Sequence, residues 1–151
     1  ALGTRSILVA ATDNEINKTI NARLQRTEFM PFAPVTLFEF ASKSYVGWSE
    51  EHLCNNFMTM CYDTTEFMSS TPAVVHVDGT ARPQVIKRED NKEYYDVVKE
   101  YYEITGIPTI VNTSFNNHEE PIICSPDDAL RSLLRNNIDE LFIGGFKVVV
   151  K

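Results

Sequence analysis

The sequence predicts an α/β fold, a twisted open mixed sheet with helices packed on it. Short apolar or β-branched runs such as Val35–Phe40, Ala73–Val77 and Ile107–Val111 are interspersed with amphipathic stretches such as Asn91–Thr105. A turn dipeptide, Asp78-Gly79, sits between two of the apolar runs and suggests one hairpin. At 151 residues the chain fits a single domain with a real core, without internal repeats or low-complexity segments.

The elements follow in order. Thr12-Asp13-Asn14-Glu15 has capping-box spacing, and Ile16, Ile20, Arg23 and Leu24 fall near one face, so a helix is expected over Thr12–Arg26. Met30-Pro31-Phe32-Ala33-Pro34 must leave that helix, because two prolines cannot continue it. A strand over Val35–Phe40 follows. Ser42–Ser70 is the least readable stretch, with a strand expected at Phe57–Tyr62 and a short helical turn at Glu66–Ser69. Ala73–Val77 and Gln84–Ile86 read as a strand and a returning strand around Asp78-Gly79.

Asn91–Thr105 is a helix by the recurrence of Tyr94, Val97, Val98, Tyr101, Tyr102 and Ile104, closed by Gly106. Its tyrosine stripe suits core and rim packing better than base stacking in an acidic chain. Ile107–Val111, led by Gly106 and Pro108, reads as a buried strand. Ser125-Pro126-Asp127-Asp128 combines a cap, a first-turn proline and acids on the positive end of the dipole, starting a helix that runs to about Asn136. Leu141–Ile143 and Phe146–Val150 close the chain around Gly144-Gly145.

Composition bounds the function. Apolar residues make up 43% and charged residues 23%, the balance of an ordinary soluble globular protein. The formal charge of −7 disfavours nucleic acid and anionic membranes as partners, since both want a positive field. No apolar run is long enough to span a bilayer. Cys54, Cys61 and Cys124 form no C-x-x-C pair, which points to reduced thiols in a cytoplasmic setting. His52, His76 and His118 are far apart, so no metal site of the chain's own is expected. The start on Ala1 suggests a piece of a larger protein.

The most informative segment is Asn112-Thr113-Ser114-Phe115-Asn116, followed by Glu120-Pro121-Ile122. Two amides and two hydroxyls stand directly after an apolar run, where open α/β sheets bind ligands. Asn and Ser offer uncharged donors and acceptors suited to a nucleotide or small acyl group; the same residues also cap turns. No glycine-rich phosphate loop and no G-x-S-x-G elbow is present, so anion binding falls to side chains and helix N-termini. The basic candidates are Arg5, Lys18, Arg23, Arg26 and Arg82. Arg82, four residues past Asp78, could carry its fork over the sheet end to a phosphate or carboxylate, or stand as an exposed turn arginine. Asp78 is foremost a turn former.

The blocks ALGTRSIL (1–8), PFAP (31–34), PAVVHVDGTARPQ (72–84), NTSFN with EPI (112–122) and SPDDAL (125–130) occur in this order across nearly the whole chain. Together they resemble the C-terminal domain of carbamoyltransferases related to the nodulation protein NodU and to antibiotic O-carbamoyltransferases. The resemblance implies a YrdC-like fold and an adenylate-forming step that joins ATP, with its Mg²⁺, to carbamoyl phosphate. It also implies an upstream Kae1-like domain that passes the carbamoyl group to an acceptor hydroxyl. By this resemblance Arg82, Arg26 and Ser114 would serve catalysis, and Arg5, Arg26, Arg82, Asn112, Ser114 and Asn116 would bind the nucleotide or substrate. A non-catalytic nucleotide-binding or docking module of the same fold is the alternative. The family pattern K-x-R-E-x-F-R-P-F is matched by Arg26, while its lysine falls on Leu24 or Gln25 and its second arginine on Met30.

Overall fold

The computed structural model describes residues 2–26 and 31–150. Its centre is a four-stranded mixed sheet in the order β1-β6-β2-β5. These strands are β1 (Ser6–Ala10), β2 (Ala33–Leu37), β5 (Gln84–Ile86) and β6 (Thr109–Ser114). β6 is antiparallel to both β1 and β2, whereas β2 and β5 run parallel. Four helices accompany it: α1 (Glu15–Arg23), α2 (Phe38–Ser44), α3 (Lys92–Thr105) and α4 (Pro126–Leu134). Two small ladders complete the set, β3 (Tyr62–Asp63) with β4 (Thr80–Ala81), and β7 (Glu140–Ile143) with β8 (Phe146–Val149). The α/β class with a mixed sheet and packed helices is therefore present.

Strand parity divides the core. Side chains two apart share a face. Val35 stands beside Ile110 and Gln84, so Val35, Leu37, Ile86 and Ile110 face one way and meet Tyr94, Tyr95 and Val98 of α3. The alternate residues Ile7, Val85 and Val111 enter a larger cluster with Ile20, Ala41, Tyr45, Met68, Phe115 and Leu133. Both faces of the sheet are covered, which is why β2 is buried at every position.

Local chemistry sets the helix ends. Asn91 accepts from the Tyr94 amide at 3.2 Å at the start of α3, and Gly106 closes it with φ +74°. At α4 the expected start forms a full capping box. The Asp128 carboxylate accepts from the Ser125 hydroxyl at 2.8 Å and from the Ser125 amide at 3.1 Å. The Ser125 hydroxyl first, and then the Cys124 amide, which donates to the same carboxylate at 3.3 Å, hold the Asp128 carboxyl below the usual carboxylate range. A depressed folded value contributes stability above the unfolded aspartate pKa, and that contribution is lost as pH falls through the folded one. Asp128→Asn should therefore unfold more easily in urea than the parent at neutral pH. The difference should vanish well below about pH 4, the ordinary aspartate range. Equal midpoints at neutral pH would remove the box from the stability of α4.

Several expectations are corrected. α1 begins at Glu15 rather than Thr12, because the Asp13 carboxylate takes the Glu15 amide at 2.9 Å and the expected capping box does not form. It ends before Gln25, whose φ of +56° breaks the helix. The strand expected to reach Phe40 stops at Leu37, and Phe38 begins α2. Phe38, Ala41 and Tyr45 all pack into the larger cluster, a helical spacing. Phe57–Tyr62 is not a strand: a 3-10 turn, Leu53–Phe57, and left-handed Met58 precede the short β3. The turn expected at Glu66–Ser69 is a 3-10 helix, Glu66–Ser70, capped by Thr65.

The hairpin of Ala73–Val77 with Gln84–Ile86 is also absent. Pro72–Val74 forms a 3-10 turn, whose Ala73 amide donates to the Ala11 carbonyl at 3.1 Å and whose Ala73 carbonyl accepts from Asn17 at 2.9 Å. Those bonds satisfy the Ala73 backbone without a ladder. Asp78-Gly79 is nonetheless a tight turn, with the His76 amide donating to the Thr80 carbonyl at 2.7 Å and Gly79 at φ +82°. In α3, Val97 and Ile104 are exposed. β1 is a strand that the sequence reading does not name.

Candidate functional site

The starts of β1, β2 and β5 and the end of β6 lie on one edge of the sheet, since β6 runs opposite to the strands beside it. The NTSFN segment reaches that edge, but not as a loop beyond the strand. β6 continues to Ser114, which pairs with Ser6, so Asn112, Thr113 and Ser114 alternate across the sheet.

Asn112 faces inward. It is 1% exposed, and its amide donates to Gln84 Oε1 at 2.7 Å across β2. Gln84 in turn donates to the Leu2 carbonyl at 3.3 Å. The buried Tyr94 phenol adjoins this group, and burial pushes its pKa far above the ordinary value, opposed by the Asn112 side chain. Asn112 thus orders the strand from inside. Ser114, on the same face by parity, is half-buried with its hydroxyl uncommitted to any described residue.

Thr113 points the other way and meets Arg26, whose Nη1 donates to Thr113 Oγ1 at 3.2 Å. The Arg26 guanidinium also lies 5.5 Å from the centroid of the Phe32 ring. Arg26 is half-buried, and desolvation lowers its pKa from the ordinary value. The arginine stays charged all the same. Arg26 and Ser114 therefore approach the same sheet edge from opposite faces, and the structure does not put them in contact.

Arg82 lies two residues before β5, at this edge, and is exposed without a hydrogen bond or ion pair to any described residue. Arg5 is exposed too, and its Nη1 donates to the Ile123 carbonyl at 3.1 Å, tying the N-terminal segment to the loop after β6. Asn116 organises that loop by donating to the carbonyls of Asn117 at 2.8 Å and Glu120 at 2.9 Å. It lines a pocket of about 250 Å³ with Cys124, Asp128, Arg131 and Arg135.

The other basic candidates are engaged. Lys18 pairs with Glu15 at 2.8 Å. Arg23 holds Asp139 through two bonds of 3.0 and 3.1 Å. Leu24, one of the two positions where the family pattern has lysine, is fully buried in the core, and Gln25 is exposed. Met30 lies outside the described residues. Among the described residues no group of three or more His, Cys, Asp or Glu side chains gathers to hold a metal ion.

The family model for the carbamoyltransferase C-terminus matches residues 1–150. The chain belongs to the carbamoyltransferase C-terminus family. Nodulation protein NolO of Bradyrhizobium diazoefficiens is 38% identical over 150 residues, covering 98% of this chain and 27% of that protein. An uncharacterized protein of Methanocaldococcus jannaschii is 38% identical over 153 residues, covering 98% of this chain and 28% of its own length. Nodulation protein U of Sinorhizobium fredii is 38% identical over 119 residues, covering 78% of this chain and 21% of that protein. The carbamoyltransferase C-terminal chain thus spans about a quarter of the length of such relatives. Among its described residues no helix is long and apolar enough to cross a membrane.

Thr113, Phe32 and Gln84 are the contacts that sequence reasoning missed. The signal was the alternation of NTSFN itself, which sends Asn112 and Thr113 to opposite faces once the segment is a strand.

Proposed function

We propose that this carbamoyltransferase C-terminal domain forms carbamoyl adenylate from ATP and carbamoyl phosphate, for transfer to an acceptor hydroxyl by an upstream Kae1-like domain in the cytoplasm. The observation that carries the reading is the state of Arg26 and Arg82. Both stand at the sheet edge where NTSFN ends, and neither has a carboxylate partner among the described residues. The half-buried Arg26 guanidinium carries a desolvation cost that an anionic ligand would offset.

The chemistry asks for positioning and charge neutralisation rather than a protein nucleophile. Water would first release inorganic phosphate from carbamoyl phosphate, leaving carbamate; a carbamate oxygen would then attack the α-phosphorus of ATP, forming a P–O bond as the bond to the leaving diphosphate breaks. Arg26 and Arg82 would bind phosphate oxygens from the two sides of the edge. The Ser114 hydroxyl would hold the nucleotide or carbamoyl group. Arg5 and Asn116 would shape the adjoining loop, and Asn112 would act from inside the sheet. Mg²⁺ would arrive coordinated by the triphosphate.

The test is ATP binding to the chain with and without carbamoyl phosphate, followed by diphosphate release. Release that requires both substrates is expected. The Leu24 and Gln25 positions favour a second reading, a module that binds nucleotide or docks a neighbouring domain without chemistry, because neither can neutralise a phosphate. Saturable ATP binding without any diphosphate would select it.

A further inference from the structure

We propose that Thr113 is a positioning residue for Arg26, aiming its guanidinium at the phosphate chain of a nucleotide. This rests on the phosphate-binding reading of Arg26. The backbone is pinned first. Left-handed Gln25 turns the chain out of α1, and the Arg26 amide donates to the Asn21 carbonyl at 2.8 Å. The side chain then lies against Phe32, itself 2% exposed, with the guanidinium 5.5 Å from the ring centroid. Thr113 Oγ1 takes one Nη1 proton at 3.2 Å.

A guanidinium carries five N–H donors in a rigid fork. Thr113 is the one hydrogen-bond acceptor of the Arg26 side chain among the described residues, and none of those residues occupies the rest of the fork. The choice of partner matters. A carboxylate here would orient the arginine but cancel its charge, as Asp139 does for Arg23. A hydroxyl orients it and leaves the charge whole. As a β-branched residue on a strand, Thr113 holds few χ1 rotamers, so the acceptor is itself fixed.

The experiment measures ATP and inorganic diphosphate affinity of the chain by calorimetry for Thr113→Val, Thr113→Ser, Arg26→Ala and Arg26→Ala with Thr113→Val. Far-ultraviolet dichroism confirms that each is folded. Thr113→Val keeps the shape and β-branching of the side chain and should weaken both ligands about fivefold to tenfold, the scale of one hydrogen bond. Thr113→Ser should restore affinity to within about twofold of the parent, since the acceptor returns. The double variant should bind no more weakly than Arg26→Ala alone, because the threonine acts through the arginine.

A folded Thr113→Val chain with parental affinity, alongside a weakened Arg26→Ala, overturns the positioning role and leaves the phosphate reading of Arg26 standing. Losses that simply add in the double variant overturn it as well. Parental affinity in Arg26→Ala overturns both the positioning role and that reading.

Discussion

Replacing Arg82 with alanine is expected to lower ATP affinity, or the rate of diphosphate release, by about a hundredfold or more, the scale of losing a charge-assisted contact to a reacting phosphate. Thermal stability should hardly move. Arg82 is exposed and makes no hydrogen bond or ion pair with a described residue, so the described fold does not lean on its side chain. Arg82→Lys should recover little, since a point charge cannot reproduce a two-pronged guanidinium contact. Titration calorimetry with ATP, beside a thermal melt, separates the outcomes. Unchanged affinity in a folded Arg82→Ala chain would mark an ordinary surface arginine, and the site would then have to be built on Arg26 and Ser114. A lowered melting temperature with unchanged affinity would instead give it a part in the segment between β4 and β5.

Gly3→Ala should produce the largest loss of stability of any single-methyl change considered. A Cβ built on Gly3 would lie 2.3, 2.5 and 2.7 Å from three ring atoms of Tyr94. That ring is 4% exposed and packed in the α3 face of the core, so it cannot swing aside cheaply. Gly3 also has φ +110°, which side-chain-bearing residues rarely adopt. Strain in such a conformation costs about 1–3 kcal/mol. Forcing a methyl into packed atoms costs about 1–3 kcal/mol more. A total of roughly 2–6 kcal/mol corresponds to a fall in melting temperature of about 4–24 °C for a chain of this size.

Two structural routes are open, and amide exchange tells them apart. If the core yields, protection falls across α3 and β6. If the N-terminal segment lifts, the loss is confined to it and to the Gln84–Leu2 contact. A melting temperature within about 1 °C of the parent, less than half a kcal/mol at this size, would show that Gly3 does not rest on Tyr94.

Where a local signal sufficed, the elements of this chain were legible. Asn91 with Gly106 bracketed α3, Ser125-Pro126-Asp127-Asp128 started α4, and Gly144-Gly145 turned β7 into β8 with both residues at positive φ. Each of these rests on contacts a few residues apart, or on a backbone conformation that only certain residues adopt. The ordered blocks that resemble the carbamoyltransferase C-terminus were legible for a related reason, since they are runs of neighbouring residues.

What failed was whatever depended on a partner far along the chain. Ala73–Val77 is as β-branched as a strand, yet Asn17 and Ala11 claim the Ala73 backbone groups and leave Val77 99% exposed. Gln84–Ile86 was recognised as a strand but given the wrong neighbour, because nothing local says that β2 lies beside it in parallel. The site divides the same way. By itself the sequence determined the α/β class, the family and the presence of Arg26, Arg82 and an amide–hydroxyl cluster. Only the tertiary structure decided that Asn112 turns into the sheet and Thr113 out to Arg26, and that Arg23 is spent on the distant carboxylate of Asp139. Side-chain direction on a strand is fixed by register, and register is set by neighbours more than fifty residues away along the chain, such as Ala33 opposite Asn112.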